Sequence, residues 1–273
     1  NLGDYETALL HLMTLAVEGD ASAQLIIGVM YGEGYGVREN HETAAQWFTK
    51  AAEQENAFAQ LYLGMMYDYG NGVPIDGKTA VKWYTKAAEK GLAEAQFYLA
   101  LLYDSGETVP ENDKAAVKWY TKAAEQDHMN AQYRLASMYD FGEGVLRNYR
   151  IGLEWYTKAA EQGHAKAQLH LGDLYSKGEG VLQDYKTSAK WFRAAAEQAL
   201  AEAQYMLGLS YLLGRGVLTS NVKGYMWLSL AAYNGDKQAA NFIARGIEKI
   251  TGEQIAKAQE LSQQCLDSGY KDC

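Results

Sequence analysis

The chain has 273 residues, of which 48% are hydrophobic and 22% charged, a composition typical of a soluble globular protein. Its formal net charge of −9 disfavours non-specific binding to nucleic acids and to anionic membrane surfaces, because both depend on Lys and Arg side chains. No apolar run approaches the roughly 18 residues that a membrane-spanning helix needs. We therefore expect neither a nucleic-acid partner nor direct membrane insertion.

The tryptophans reveal an internal repeat. All six are spaced by 36 residues, at Trp47, Trp83, Trp119, Trp155, Trp191 and Trp227. A fixed period of 20 to 50 residues is typical of a solenoid. The spacing predicts a single α-solenoid domain over residues 1–273, with a partial N-terminal repeat at 1–19, six full repeats at 20–235 and C-terminal capping helices at 236–273.

Each repeat is predicted to form two helices, here called helix A and helix B. Helix A ends at a glycine, because glycine takes the left-handed conformation of a helix C-terminus without a steric penalty. Helix B begins after a residue whose side-chain oxygen caps the first turn. The glycines are Gly34, Gly70, Gly106, Gly142, Gly178 and Gly214, and the caps are Asn40, Asp76, Asn112, Asn148, Asp184 and Ser220.

The C-terminal segment departs from the repeat. Thr251 and Gln254 form the pattern of a capping box, which predicts a last helix over about residues 252–265. The chain contains two cysteines, Cys265 and Cys273. Their proximity favours a disulfide and an oxidising compartment, whereas two free thiols in a frayed tail remain the alternative.

The repeats resemble a known family. Units that read Ala-x-Ala-Gln, then Leu-Gly or Leu-Ala, Tyr, Gly, Val, Trp and Lys-Ala-Ala-Glu are similar to Sel1-like repeats, which are related to tetratricopeptide repeats. The resemblance implies a right-handed superhelical α-solenoid of helix-turn-helix repeats with a 36-residue period. It implies a non-enzymatic adaptor or scaffold with no catalytic residues and no cofactor. The tail resembles those of exported bacterial members, which implies a periplasmic or secreted protein with roles in the bacterial envelope or in host contact.

Recognition is expected where the repeats differ, along a stripe of variable positions on helix A. If helix A lines the concave side, as the resemblance implies, this stripe forms a groove that binds a protein or peptide ligand. The chain itself is expected to be a monomer. Aromatic, Met and Arg side chains are enriched in interface cores. The predicted partner-binding residues are Phe58, Tyr62, Met65, Tyr69, Glu94, Tyr98, Leu101, Arg134, Phe141, Lys166, His170 and Lys177.

Two alternatives remain open at this point. Tyr62 and Tyr98 are candidates for the core between repeats rather than for the groove, in which case alanine there would lower the thermal midpoint strongly. The polar residues Arg134, His170 and Asp173 are candidates for an envelope-glycan-binding site or a hydrolase site. The five histidines do not cluster with the spacing of metal ligands, so no metal site is predicted.

Overall fold

The computed structural model describes residues 2–246, 250–271 and 273. Fifteen α-helices and no β-strand lie in this described part. The helices are α1 (Leu2–Val17), α2 (Ala21–Glu33), α3 (His41–Glu53), α4 (Ala57–Tyr69), α5 (Gly77–Glu89), α6 (Ala93–Ser105), α7 (Asp113–Ala124), α8 (Met129–Phe141), α9 (Tyr149–Glu161), α10 (Ala165–Lys177), α11 (Tyr185–Ala196), α12 (Ala201–Leu213), α13 (Asn221–Tyr233), α14 (Lys237–Ala244) and α15 (Gly252–Asp267).

The helices follow the predicted repeat. Even-numbered helices from α2 to α12 are the A helices, and odd-numbered helices from α3 to α13 are the B helices. The chain forms two compact units, Asn1–Ala131 with Glu143–Val145 and Gln132–Gly142 with Leu146–Cys273. Within each unit an A helix packs on the B helix that follows it, and that B helix packs on the next A helix. The prediction of an all-α solenoid with a 36-residue period is therefore confirmed.

The helix boundaries have the predicted physical causes. Gly34 and Gly70 end α2 and α4 in the left-handed conformation, with φ of 71° and 77°. Asn40 and Asn112 accept hydrogen bonds from first-turn amides of α3 and α7. Because these signals recur in every repeat, the sequence was sufficient to place most helix ends.

The centre of each repeat is filled by the residue that follows its tryptophan. These residues are almost fully buried: Phe48, Tyr84, Tyr120, Tyr156, Phe192 and Leu228. The Phe48 ring lies directly over Gly28, where an added Cβ would stand 2.6 Å from a ring carbon. Gly28 is thus required by the close approach of the Phe48 ring. Alanine stands at the equivalent positions 100 and 136.

The C-terminal segment covers the last repeat. Helix α15 begins with the predicted capping box, in which Thr251 and Gln254 exchange hydrogen bonds. It packs on α13 and buries Ala258 and Cys265 beside Trp227. The Cα atoms of Cys265 and Cys273 are 5.0 Å apart, with the sulfur atoms in disulfide contact.

A buried glutamine joins successive repeats. The Gln96 amide nitrogen donates to the carbonyl of Ala88 at the end of the preceding B helix, at 3.0 Å. Its carbonyl oxygen accepts from Gln126 at the end of its own B helix, at 2.8 Å. The donated bond recurs, between 2.9 and 3.1 Å, at Gln24, Gln60, Gln168 and Gln204. One side chain therefore fixes the ends of two B helices.

The second repeat lacks half of this arrangement. Lys90 stands where the other repeats carry Gln54, Gln126, Gln162, Gln198 or Asn234, and it pairs with the exposed Glu55 at 3.1 Å. The buried Gln60 Oε1 consequently finds no donor among the described residues. A buried acceptor without a donor costs roughly 1 to 3 kcal/mol, more than an exposed ion pair contributes.

We predict that Lys90→Gln stabilises the protein. The new amide would donate to Gln60 Oε1, as Gln126 does to Gln96, and should raise the free energy of unfolding by roughly 1 kcal/mol. Urea denaturation followed by far-UV circular dichroism would measure the change. Lys90→Ala is the control, because it removes the pair with Glu55 without supplying a donor. An equal effect of both substitutions would contradict the prediction.

Candidate protein-binding surface

The predicted residues of the first compact unit lie on α4 and α6, where some are exposed and others half-buried. We call Phe58, Tyr62, Met65, Tyr69, Glu94, Tyr98 and Leu101 the first stripe. Phe58 and Tyr69 are 55% and 53% exposed, which is unusual for large aromatic side chains. Met65, Tyr98 and Leu101 are half-buried, and Glu94 is exposed. The A helices thus present a semi-continuous aromatic and aliphatic face.

Tyr62 and Tyr98 belong to both the surface and the core. Tyr62 is 38% exposed, and its ring stacks on buried Phe48 with the ring centroids 5.0 Å apart. Tyr98 stacks in the same way on Tyr84, at 5.8 Å. One face of each ring covers the core of the preceding repeat, and the remainder is accessible. Alanine at either position should therefore cost stability as well as surface, since an aromatic pair contributes about 0.5 to 1.5 kcal/mol.

The polar groups of the first stripe are the phenols of its tyrosines and the Glu94 carboxylate. Burial raises the pKa of Tyr69 and of Tyr98, so both phenols are neutral hydrogen-bonding groups near pH 7. Glu94 contacts His128 Nε2 at 3.0 Å, and the His128 ring stacks on Phe97 at 4.6 Å. The first stripe is consequently apolar and aromatic, with acidic groups at its edge.

A cleft opens between α2, α3 and α4 in the first unit. Its volume is about 170 Å³, and its lining includes Phe48, Tyr62, Met65, Tyr69 and Glu33. Three of these residues belong to the first stripe, whereas Phe48 forms the floor. Sequence reasoning identified the wall of this cleft but not its floor.

The cleft depends on a pair of positions that vary together among the repeats. Where the buried central residue is tyrosine, the facing residue of helix A is aspartate: the Tyr120 hydroxyl lies 2.9 Å from Asp104, and the Tyr84 hydroxyl 3.5 Å from Asp68. In the first repeat the central residue is Phe48, and Gly32 takes the aspartate position. An added Cβ at Gly32 would have Ala44 Cβ at 3.8 Å as its nearest neighbour. The space that Asp68 fills in the second repeat is therefore open in the first.

The second compact unit contains a cleft at equivalent repeat positions. It is smaller, about 60 Å³, and its lining includes Phe192, Ser176, Met206 and Leu213. Phe192 and Ser176 occupy the positions of Phe48 and Gly32. A phenylalanine opposite a small residue thus accompanies both clefts. This covariation within the chain is a signal that sequence analysis missed.

The predicted residues of the second unit are more polar. We call Arg134, Phe141, Lys166, His170 and Lys177 the second stripe. Phe141, Arg134, Lys166 and Lys177 are exposed. These cations distinguish the second stripe from the first.

The His170 side chain packs against two tyrosine rings. Its ring stacks on buried Tyr156 with centroids 5.2 Å apart, and it meets Tyr133 at 5.9 Å. Asp173, which the hydrolase alternative pairs with it, forms an ion pair with Lys177 at 2.7 Å. The His170 position corresponds to Tyr62 and Tyr98, so the histidine performs the same covering role in its own repeat.

Burial lowers the pKa of both His164 and His170, and the nearby carboxylates Asp140 and Asp173 only partly oppose the shift at His170. Burial also raises the pKa of Asp140. His164 Nδ1 accepts the Ala167 amide hydrogen at 3.1 Å as the N-cap of α10. Only a neutral imidazole can accept this bond. Protonation is therefore disfavoured by desolvation and by the cap.

In the described residues no group of three or more His, Cys, Asp or Glu side chains is arranged to hold a metal ion. No described helix has the length and apolar character required to cross a membrane.

The two histidines predict a loss of stability on acidification. Because their folded-state pKa lies below the ordinary value of 6.5, the unfolded chain binds more protons between the folded-state pKa and 6.5, and stability falls as the pH drops through that window. The raised pKa values of Asp68 and Asp140 act in the opposite sense, between the ordinary value of 3.8 and the folded-state pKa of each carboxyl. The thermal midpoint should therefore decrease as the pH is lowered from about 7.5 to about 5.5.

The chain supplies matched replacements for this test. Asn56 caps α4 at the position equivalent to His164, and tyrosine stands at the position of His170 in two repeats. His164→Asn with His170→Tyr should keep the cap and the stack but reduce the midpoint decrease. An undiminished decrease in this variant would assign the acid sensitivity to other groups.

Comparison with known proteins agrees with this geometry. The Sel1 repeat model matches residues 21–56, 57–92, 93–128, 130–164, 165–200 and 201–236, which start one or two residues later than the predicted repeats. No curated protein matched the chain.

Two solved structures are similar over most of the chain. A Sel1 repeat protein from Oxalobacter formigenes is 37% identical with a TM-score of 0.71, and the match covers 83% of this chain and 91% of that one. A protective antigen of uropathogenic Escherichia coli with an SLR fold is 31% identical with a TM-score of 0.61, covering 97% of this chain and 66% of that one. Sel1 repeat proteins are generally non-enzymatic scaffolds for protein interactions. With six matched repeats, the chain belongs to the Sel1 repeat family.

Proposed function

We propose that this protein is a non-enzymatic scaffold that binds a peptide or protein segment on the exposed face of its A helices. The observation that carries the proposal is the exposure of large aromatic side chains on the first stripe, above all Phe58 and Tyr69. Contiguous exposed apolar surface usually marks an interaction site. The chain is proposed to act as a monomer, with the two stripes as its contact surfaces.

The proposed location is the periplasm or the cell exterior of a bacterium. The disulfide contact between Cys265 and Cys273 supports it, because such bonds persist in oxidising compartments. The similar Escherichia coli protein is described as a protective antigen, which is also in keeping with a location outside the cytoplasm. A role in envelope assembly or in host contact is part of the same proposal.

A glycan-binding or hydrolytic role at Arg134, His170 and Asp173 is less well supported. The lowered pKa of His170 is explained by burial in a ring stack, and Asp173 is paired with Lys177. His170 and Asp173 therefore have structural roles, and Arg134 is an exposed cation of the second stripe. We propose no catalytic role for these residues.

Substitution of the first stripe should separate binding from folding. Phe58→Ala with Tyr69→Ala should weaken partner binding at least about tenfold, because exposed aromatic anchors commonly contribute 1 kcal/mol or more each. Pull-down from bacterial envelope or host extracts, followed by titration of the captured protein, would measure the effect. The thermal midpoint should change little, since neither side chain is buried.

The matched control for this experiment is Tyr233→Ala. Tyr233 is an aromatic residue at the end of α13 that is 73% exposed and lies outside both stripes. The Tyr233→Ala variant should bind the captured protein as tightly as the wild type does. Equal losses in the control and in the stripe variant would contradict the proposal. Alanine at Tyr62, Met65 or Tyr98 should also weaken binding, with a lower midpoint at the two tyrosines.

The proposed disulfide between Cys265 and Cys273 gives an independent prediction. Protein purified from the periplasm should contain no titratable thiols before reduction and two afterwards, corresponding to Cys265 and Cys273. Closing a short loop of this kind contributes roughly 2 to 3 kcal/mol in the chain-entropy model, so reduction should lower the thermal midpoint. Cys273→Ser should reproduce the reduced midpoint while leaving Cys265 in the core. Two free thiols in the periplasmic protein would overturn the disulfide.

A further inference from the structure

The cleft floored by Phe48 has the size of a single side chain. Its volume of about 170 Å³ lies below the roughly 300 to 1,000 Å³ of pockets that enclose small organic ligands. Phe48, Tyr62 and Met65 give it apolar walls. Aromatic and thioether groups of this kind adapt to large apolar side chains.

Glu33 is the carboxylate in the cleft lining, which also contains His41 at 3.1 Å from the exposed Glu39. The A helices of the first three repeats, Ala21–Glu33, Ala57–Tyr69 and Ala93–Ser105, contain no Lys or Arg and four carboxylates. Glu33 lines the cleft itself and is exposed. Electrostatic complementarity therefore favours a positively charged partner. The exposed ring of Tyr69, also in the lining, offers a face on which a cation can rest.

From these features, and resting on the proposed binding function, we propose that the cleft is a specificity pocket for a basic partner segment. A large apolar side chain of that segment enters between Phe48, Tyr62 and Met65. A neighbouring Lys or Arg pairs with Glu33 and lies against Tyr69. Gly32 is the residue that keeps the pocket open.

Two other repeats show how the pocket can be closed without disturbing the fold. In the second repeat Asp68 and Tyr84 occupy the positions of Gly32 and Phe48. In the sixth repeat Leu212 occupies the Gly32 position and packs on the core around Leu228. Gly32→Asp with Phe48→Tyr copies the first solution. The second needs a partner change, because a Cβ at Gly224, the counterpart of Ala44, would stand 2.5 Å from Leu212. Gly32→Leu with Ala44→Gly therefore approximates it. Both replace Gly32, which lies in the last turn of α2.

The matched control makes the same chemical change in the second compact unit. Ser176→Asp with Phe192→Tyr alters the equivalent positions of the smaller cleft and leaves the first unit unchanged. Glu33→Gln tests the charge alone, since it preserves the shape of the side chain. Far-UV circular dichroism and the thermal midpoint establish that each variant is folded. If Gly32→Asp with Phe48→Tyr does not fold, Gly32→Leu with Ala44→Gly decides the outcome.

The probe is a phage-displayed library of random peptides selected on the full chain. We expect the selected peptides to combine a large apolar residue with an adjacent Lys or Arg. Titration of the strongest synthetic peptide should show at least about tenfold weaker binding to both closed-pocket variants, and less than about twofold change for the second-unit control. Glu33→Gln should weaken binding and reduce its dependence on salt concentration.

The possible failures are distinguishable. If selected peptides lose binding on Phe58→Ala but bind the closed-pocket variants as well as the wild type, the pocket is overturned while the binding function stands. Enrichment of acidic or purely polar peptides also overturns the pocket. If no peptide binds and the first-stripe variants capture the same proteins as the wild type, the proposed function itself fails, and the inference fails with it.

Discussion

The architecture depends on one buried polar side chain per repeat. A glutamine such as Gln96 has only two hydrogen-bonding groups, yet it satisfies a carbonyl of the preceding B helix and a donor at the end of its own. Because a buried amide without partners is costly, this geometry is specified more sharply than apolar contact alone could achieve. The fixed B-helix ends set the register in which each A helix meets its neighbours. The stripes and the clefts are consequences of that register.

The same register divides each A helix between scaffold and surface. Alanine, glutamine, leucine and the central small residue face the core, and the residues between them form the stripe. Tyr62, Tyr98 and His170 lie at the boundary, since each stacks on the buried ring of the preceding repeat. A single repeat position therefore covers the core with one face of its ring and leaves the rest of the ring partly exposed. Replacing tyrosine by histidine there changes the chemistry while the packing is preserved.

Departures from the repeat occur as compensated pairs. Thr108 stands where five other repeats have a loop glycine, and it faces Gly77 where the neighbouring repeats carry larger residues. An added Cβ at Gly77 would lie 2.6 Å from Thr108, whereas one at Gly72 would lie 2.3 Å from the His41 backbone. In each contact between a loop and the start of the preceding B helix, one residue is glycine and the other carries a side chain. In the contact between Thr108 and Gly77 the glycine is on the B helix instead of in the loop. Lys90 is an exception, because its exchange leaves Gln60 Oε1 without a donor among the described residues.

The sequence by itself determined the repeat period, the helix ends and the positions that vary, because these follow from local rules applied in every repeat. Caps such as Asn40 and Gly34 act within one turn of the chain, so neighbouring residues identify them. Only the tertiary structure decided which variable positions are exposed and where a cleft opens. The openness of the space beside Gly32 depends on Phe48 from another helix, and the burial of Tyr98 depends on Tyr84. Such properties belong to pairs of distant residues, and no single stretch of sequence contains them.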